Sequence, residues 1–543
     1  MRVLLVQAET PPTYWSYDHA LPFVGKAAAL PPLGLATLAA LLPQRWEIRI
    51  VDLHVRSLRD ADLEWADAVL VSGMLAQAES IRETLWRARR MGKRTVVGGP
   101  APTTSPAAFP EADYVFRGEA EGRLDALVGV LEGAPDGGRR ILSPEGGAPP
   151  DLHRSPVPRF DLLELRRYAS LSVQMSRGCP FQCEFCDIIE VFGRVPRLKT
   201  PEQVLAELEA LYRLGGRGSL FFVDDNFIGN RRQVAEILPR VAAWQREHGF
   251  PFDLYTEASL DLASEPALLR AMIDAGFSAV FVGVETPSPE ALASAGKRQN
   301  LRLDPAEAVR RLTAAGLEVF SGFILGFDTD REDIFDRQLQ FIASMPIPRA
   351  MVGLLGALPG TALWRRLERE GRLRCTSSGD QFERPNFEPA LDERKLLTGY
   401  RRVLAALYSD QAYYDRCRQY LDATPARACA TSGRWVRPLL MSLVLIGLLG
   451  RRRRHYWRLL AQGARRGLYT FVQAVTLAIL GEHMVRYTEE VVLPRIDRTL
   501  AALGPEAGEA VTEAPACRMP RGGEIDGREV GPFTAGRSSA RLA

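Results

Sequence analysis

The stretch Met175–Ile188, M-S-R-G-C-P-F-Q-C-E-F-C-D-I, constrains this chain more than any other. It places Cys179, Cys183 and Cys186 in a C-x3-C-x2-C array. Three cysteines cannot pair fully among themselves as disulfides, and only seven cysteines occur in 543 residues. Soft thiolates at this spacing suit zinc or an iron–sulfur cluster. A structural zinc site needs a fourth Cys or His at finger-like spacing. His153 and His248 are both too far along the chain to supply it. Three ligands on a [4Fe–4S] cube leave one iron without a protein ligand, and that open position is where chemistry can occur.

This loop, with Phe185 just before the last cysteine, resembles the signature of the radical SAM superfamily. The resemblance implies that S-adenosylmethionine (SAM) chelates the open iron and is cleaved reductively to a 5′-deoxyadenosyl radical. It also implies an external electron donor of ferredoxin or flavodoxin type, and it sets Phe185 beside the adenine.

Taken in order, the chain opens on M-R-V-L-L-V-Q-A-E, which reads as a first β-strand rather than a signal peptide. Few cysteines, three of them in one loop, fit a reducing cytoplasm. With 46% hydrophobic residues, 25% charged and a net charge of +3, the composition is that of a globular protein. It has no basic excess to suggest nucleic acid. Residues 1–136 alternate apolar runs with helical patterns, the βαβ layout of a Rossmann-like parallel sheet. The strands fall at Val3–Gln7, Ile48–Asp52, Ala68–Ser72, Thr95–Val97 and Tyr114–Phe116. Ligands of such sheets bind beyond the carboxyl ends of the strands. No G-x-G-x-x-G follows the first strand, which argues against an ordinary dinucleotide site.

This domain resembles the cobalamin-binding domain that precedes the radical SAM domain in one branch of the superfamily. The resemblance implies that Ser72, Gly73, Gly98, Gly99, Pro100, Gly118 and Glu119 line the cobalamin site. Asp52-Leu53-His54 mimics a cobalt-ligating motif but follows the second strand. His54 is therefore expected on a surface loop, with the cobalt lacking a lower His ligand.

Residues 137–158 are rich in Gly and Pro and read as a linker. Residues 159–375 then give six strand–helix units, an α/β layout suited to a partial (β/α)6 barrel and too short for eight strands. Polar residues cluster at the strand ends. Asp224, Asp225 and Asn226 follow the second strand, where the family receives the SAM amino group. Glu257 ends the third strand and Glu285 the fourth. Gly322 and Gly326 lie in a G-x-I-x-G run beside the expected adenine, with Thr329 where the family has an acid. The same carboxylates could be read as the acid and base of a hydrolase, but that leaves the cysteine loop unexplained.

Residues 376–500 read as helical, with uncharged runs at Pro438–Gly450 and Gly467–Gly481, and an arginine cluster between them. Neither run reaches the ~20 residues that span a bilayer. They read either as buried helices or as a peripheral membrane-contacting surface. Residues 501–543 lack periodicity and read as disordered.

Across residues 1 to about 495 the chain resembles the B12-binding radical SAM group with a DUF4070-type C-terminal domain, which includes hopanoid methylases. This implies a cobalamin-dependent methyltransferase, with a [4Fe–4S] cluster, SAM and cobalamin, acting on an unactivated carbon of a hopanoid-like or other apolar substrate. A cyclase or rearranging enzyme with the same cofactors, and an iron–sulfur redox or sensor protein, are the alternatives.

Overall fold

Val3–Val6 and Ala68–Val71 are apolar at every position, the pattern of strands covered on both faces. The computed structural model describes residues 1–133, 140–143, 149–380, 382–425 and 435–503. In it these runs become neighbours in a parallel sheet. The strands are β1 (Arg2–Gln7), β2 (Glu47–Asp52), β3 (Ala68–Ser72), β4 (Arg94–Gly98), β5 (Tyr114–Phe116) and β6 (Ile141–Leu142), in the order β2-β1-β3-β4-β5-β6. Leu4, Val6, Val69 and Val71 pack on one face, and Val3, Leu5, Leu70 and Val96 on the other. The order reverses between β1 and β3, which is where a doubly wound sheet opens a ligand crevice. β6 lies inside the stretch that composition marks as a linker, and it pairs with β5. A two-residue apolar strand is too short to produce a periodic signal.

A second set of strands follows: β7 (Leu171–Val173), β8 (Ser176–Arg177), β9 (Arg197–Leu198), β10 (Gly218–Phe222), β11 (Phe252–Glu257), β12 (Phe277–Glu285), β13 (Glu318–Leu325) and β14 (Ala350–Leu354). Six of them form a parallel sheet in the order β14-β13-β12-β11-β10-β7, the partial barrel. β8 and β9 form a separate antiparallel pair. Helix starts follow local chemistry. At Thr200-Pro201-Glu202-Gln203, the Thr200 hydroxyl accepts the Gln203 N–H (3.2 Å), and the Gln203 side chain accepts the Thr200 N–H (2.8 Å). With Pro201 in the first turn, this capping box opens the helix Pro201–Arg213.

The helical C-terminal region covers the open edge of the barrel. Tyr400 and Tyr408 donate their hydroxyls to the β14 carbonyls of Val352 (3.0 Å) and Ala350 (2.6 Å). Those groups would otherwise form an unpaired strand edge. All of the second uncharged run but Gly467 lies within a continuous helical stretch, Leu468–Ala502, which is long and apolar enough to cross a membrane. This corrects the length expected from sequence, because the uncharged core stops before the helix does. Of its apolar window, 56% is buried against the rest of the protein, so it packs here as a core helix. From residue 504 on, the tail expected to be disordered lies outside the described residues.

The segment after β1 ties the parts together. The Tyr14 ring stacks on Tyr408 at 5.3 Å, and its hydroxyl meets Thr488 Oγ1 at 2.6 Å. Tyr487 donates to the Pro12 carbonyl (2.6 Å), and His483 Nε2 donates to the Thr13 carbonyl (2.9 Å). Burial holds His483 neutral, with its pKa lowered to about 4.

Candidate active site

β8 and β9 clasp the base of the cysteine loop, with Arg177 opposite Arg197. Gly178 has φ +97°, and a Cβ there would lie 2.8 Å from the Gly193 carbonyl, so the turn admits only glycine. Its N–H donates to Asp225 Oδ2 (2.9 Å), and the Cys179 N–H donates to the Gly193 carbonyl (3.3 Å). Farther along, the Glu184 N–H donates to the Ala295 carbonyl at 2.9 Å. The loop is therefore pinned at both ends.

The three thiols are partly buried. Asn226 Nδ2 approaches Cys179 Sγ at 3.9 Å, and Gln299 Nε2 approaches Cys183 Sγ at 3.6 Å. Both are donors that favour thiolates. Burial pushes the Cys186 thiol up to about 12 and raises that of Cys179. Buried thiols of this kind release protons when metal binds. Among the described residues no three His, Cys, Asp or Glu side chains converge on a single-ion site. A cluster places each sulfur on a different iron and needs a wider spacing.

The Asp224-Asp225-Asn226 run, expected to receive an amino group, mainly shapes the loop. Asp224 is buried and gives one oxygen to the Met175 N–H (2.8 Å) and the other to the Ser176 hydroxyl (2.8 Å). Asn226 Oδ1 accepts the Ser259 N–H (3.1 Å). Among the described residues no hydrogen bond engages the Glu257 carboxyl. Burial, with Asp225 and Asp224 close by, pushes it up to about 8. Burial likewise raises Asp224 to about 7 and Asp225 to about 6, against the hydrogen bonds each accepts. A cationic ligand is what such a group lacks.

A carboxyl with a folded pKa near 8 and an unfolded one near ~4.3 stabilises the fold while it is protonated. That contribution is lost as pH rises through the window between the two values. Glu257→Gln should therefore flatten the fall in the thermal midpoint of the cofactor-free protein across this window, leaving the variant the more stable protein at the alkaline end. Thermal denaturation at stepped pH reads this, and parallel curves would contradict it.

Glu285 ends β12 at φ +71°, beside a register shift against β13, and its carboxylate pairs with Lys297. Burial opposes the Lys297 charge, but Glu285 and the Cys183 and Cys186 sulfurs outweigh it and raise the pKa. Gly283 makes room for this pair, since a Cβ there would collide with both partners. Gly283→Ala is expected to cost about 1–3 kcal/mol, the usual range for overpacking, read as a lowered thermal midpoint. An unchanged midpoint would show that the pair can move aside.

At the end of β13, Gly322 lies under Phe281, where a Cβ would come within 3.1 Å of the ring, and Gly326 turns at φ +98°. Asp330, one place after Thr329, accepts the Gly326 (2.8 Å) and Phe327 (3.0 Å) N–H groups. Phe185 packs edge-on against Phe327 at 6.2 Å, which places it beside this turn.

The barrel's concave face carries Phe221 paired in register with Tyr255, and Phe281 paired with Phe320, the second pair level with Glu257. Phe221 stacks on Tyr255 at 4.7 Å, and Phe281 meets Phe320 at 5.5 Å. Trp15, from the segment after β1, joins them at 5.4 Å from Phe281.

A cleft of about 1170 Å³, counting its open mouth, runs from the carboxyl ends of the first sheet to the cysteine loop. Ser72, Gly98, Gly99, Pro100, Gly118 and Glu119 line it. Gly99 has φ +99°, and a Cβ there would lie 2.6 Å from Ser72 Oγ. Gly73 does not line the cleft, because its open side is turned toward Ile81 and Gln77 at 3.0 Å. His54 lies outside the lining and is not a free loop residue. Its Nδ1 meets Asp52 at 2.8 Å, and its Nε2 accepts the Thr10 N–H at 3.0 Å.

Arg177 joins the two halves. It binds Glu119 (2.8 Å) and Glu121 (2.7 Å), and Arg197 binds the other oxygen of Glu119 (2.8 Å). Burial opposes the charge on Glu121, but Arg177 holds its carboxyl below the usual range.

Family models match in the same order: a B12 binding domain at residues 27–128, the radical SAM superfamily at 173–342, and a domain of unknown function, DUF4070, at 361–495. The chain is 41% identical to an uncharacterised methyltransferase of Synechocystis sp., over 90% of this chain and 92% of that one. It is 35% identical to the hopanoid C-2 methylase of Rhodopseudomonas palustris, over 90% and 94%. The chain belongs to the B12-binding radical SAM enzymes. Two solved structures share the fold at 16% identity. The methyltransferase TsrM of Kitasatospora setae has a TM-score of 0.57, covering 90% of this chain and 99% of that one. The cobalamin-dependent radical enzyme OxsB has a TM-score of 0.56, covering 92% and 83%.

Membership in this family implies a [4Fe–4S] cluster, SAM and cobalamin. The residues present fit these groups: soft donors with an unclaimed iron position, an unpaired carboxylate suited to a cationic ligand, and a glycine-edged cleft with apolar walls. Sequence reasoning missed Arg177, Arg197, Lys297, Gln299, the concave aromatics and the cleft wall at Leu33–Leu41. Only Arg177 and Lys297 left a local signal, as charges beside small-residue turns in S-R-G-C and A-G-K-R.

Proposed function

We propose that this enzyme transfers a methyl group to an unactivated carbon of an apolar, hopanoid-like lipid. The observation that carries this reading is the single wall, through Arg177, shared by the cysteine loop and the cleft of the first domain. When bound, the three groups together supply a hydrogen-abstracting radical and a transferable methyl group. Cys179, Cys183 and Cys186 hold the cluster, while Asp225 and Gly178 set the loop that carries them. Glu257, which lacks a cationic partner among the described residues, and the Glu285–Lys297 pair would hold the polar end of SAM at the strand ends, and Gly322, Gly326 and Phe185 would lie beside its adenine. Ser72, Gly98, Gly99, Pro100 and Gly118 cradle the corrin. The aromatic floor and Trp15 exclude water and orient an apolar substrate. An external donor of ferredoxin or flavodoxin type supplies the electron.

The relatives support an apolar substrate. Besides the C-2 enzyme, the hopanoid C-3 methylase of Methylococcus capsulatus is 28% identical, over 63% of this chain and 69% of that one. The test is anaerobic turnover of a polycyclic triterpenoid with SAM carrying a deuterated methyl group. A product in which that methyl replaces one hydrogen supports the proposal. A dehydrogenated or cyclised product of unchanged carbon count would replace it with a rearranging enzyme.

A further inference from the structure

The helix Val436–Ser442 and the wide-turn segment Leu443–Leu448 leave one face uncovered. Val436, Leu440, Val444, Leu448 and Leu449 are between 45% and 75% exposed there. The inner face, with Ser442, Ile446 and Gly447, is buried against the helix Arg453–Arg465, where Ser442 Oγ meets the Tyr456 hydroxyl at 2.9 Å. At the border Trp457, 46% exposed as a residue, donates its indole N–H to the Gly447 carbonyl (3.0 Å). The outer face of Arg453–Arg465 that carries Trp457 also presents Arg453, Arg454, Arg458 and Arg465, all exposed.

Charge decides what covers this ridge. Residues 435–468 contain eight arginines and no acidic residue. Arg452 is buried among Asp410, Glu482 and Glu489, and Arg451 pairs with Glu489. Among the described residues no ion pair engages Arg453, Arg454, Arg458 or Arg465. A second copy docked symmetrically would bring like charges together. A bilayer with anionic headgroups matches every part: an apolar ridge for the acyl boundary, Trp at the interface, and arginines for the phosphates.

We propose that this ridge docks the enzyme on an anionic bilayer surface, from which it takes its substrate. The second clause rests on the apolar-substrate reading; the docking itself does not. The test is sedimentation of the reconstituted full chain with vesicles of phosphatidylcholine alone, or of phosphatidylcholine with phosphatidylglycerol. Binding should be at least about tenfold stronger to the anionic vesicles. A Leu440→Ser, Val444→Ser, Leu448→Ser, Leu449→Ser variant should lose vesicle binding while still releasing 5′-deoxyadenosine, which shows that it is folded. An Arg453→Gln, Arg454→Gln, Arg458→Gln variant should lose the preference for anionic vesicles. Equal vesicle binding by the ridge variant, or no binding by the parent, would overturn the proposal. So would a parent dimer that the ridge changes dissociate with vesicle binding unaltered. Vesicle binding without methyl transfer to an embedded triterpenoid supports the docking and counts only against the substrate reading.

Discussion

Cys183→Ala protein is expected to fold, to retain cobalamin, and to release no 5′-deoxyadenosine from SAM. The loop that carries Cys183 is held by backbone bonds at Gly178, Cys179 and Glu184, none of which involves the Cys183 side chain. Removing one sulfur therefore costs little of the fold. It does remove one of three protein donors to a cluster that already has one open iron. The loss should exceed the ~10–100-fold that removal of an outer partner costs a metal site, and Asn226→Ala or Gln299→Ala should fall within that smaller range. Iron content, the cluster's visible absorption and 5′-deoxyadenosine by mass spectrometry read the series. Full iron loading in Cys183→Ala would mean that another donor completes the site.

Arg177→Ala is the substitution expected to uncouple the two halves. Arg177 is 11% exposed, with Glu119 at 6% and Glu121 at 2%, and it bridges the two carboxylates. Removing one partner of such buried pairs leaves charge without compensation and costs about 3–5 kcal/mol. Arg197 still holds Glu119, so the loss falls mainly on Glu121, whose other side-chain contact is Ser155 at 3.3 Å. Arg177→Lys should recover little, because one ammonium cannot replace a planar fork across two carboxylates. Thermal midpoint and cobalamin retained after gel filtration should fall together. Arg177→Met with Glu121→Gln should restore the midpoint but not the cobalamin. If cobalamin is held as tightly as in the parent, the shared wall has no role in the site.

Much of the fold is legible in the sequence because parallel strands buried on both faces are nearly continuous apolar runs. β1, β3, β5 and β14 follow from that alone, whereas β11, F-D-L-Y-T-E, alternates because only one of its faces is packed against helices. The cysteine array is equally plain, since so few cysteines occur elsewhere. What stays hidden depends on contacts between distant segments. Nothing local to Glu119 and Glu121 announces that Arg177 lies across the cleft. Gly73 sits in a sequence context like that of Gly99, and only packing against Ile81 turns it away from the ligand side. Asp224 has the right position for a ligand contact, yet the Met175 and Ser176 donors claim both its oxygens. The aromatics at 221, 255, 281 and 320 are single alternate positions on four strands, so they meet as two cross-strand pairs only once the strands are in register.

The most direct test of the central claim is an omission series on anaerobically reconstituted protein, following 5′-deoxyadenosine and S-adenosylhomocysteine together. The account predicts that 5′-deoxyadenosine disappears in Cys183→Ala, that S-adenosylhomocysteine disappears when cobalamin is left out, and that methylated product needs both. S-adenosylhomocysteine formed at an undiminished rate without cobalamin would contradict it.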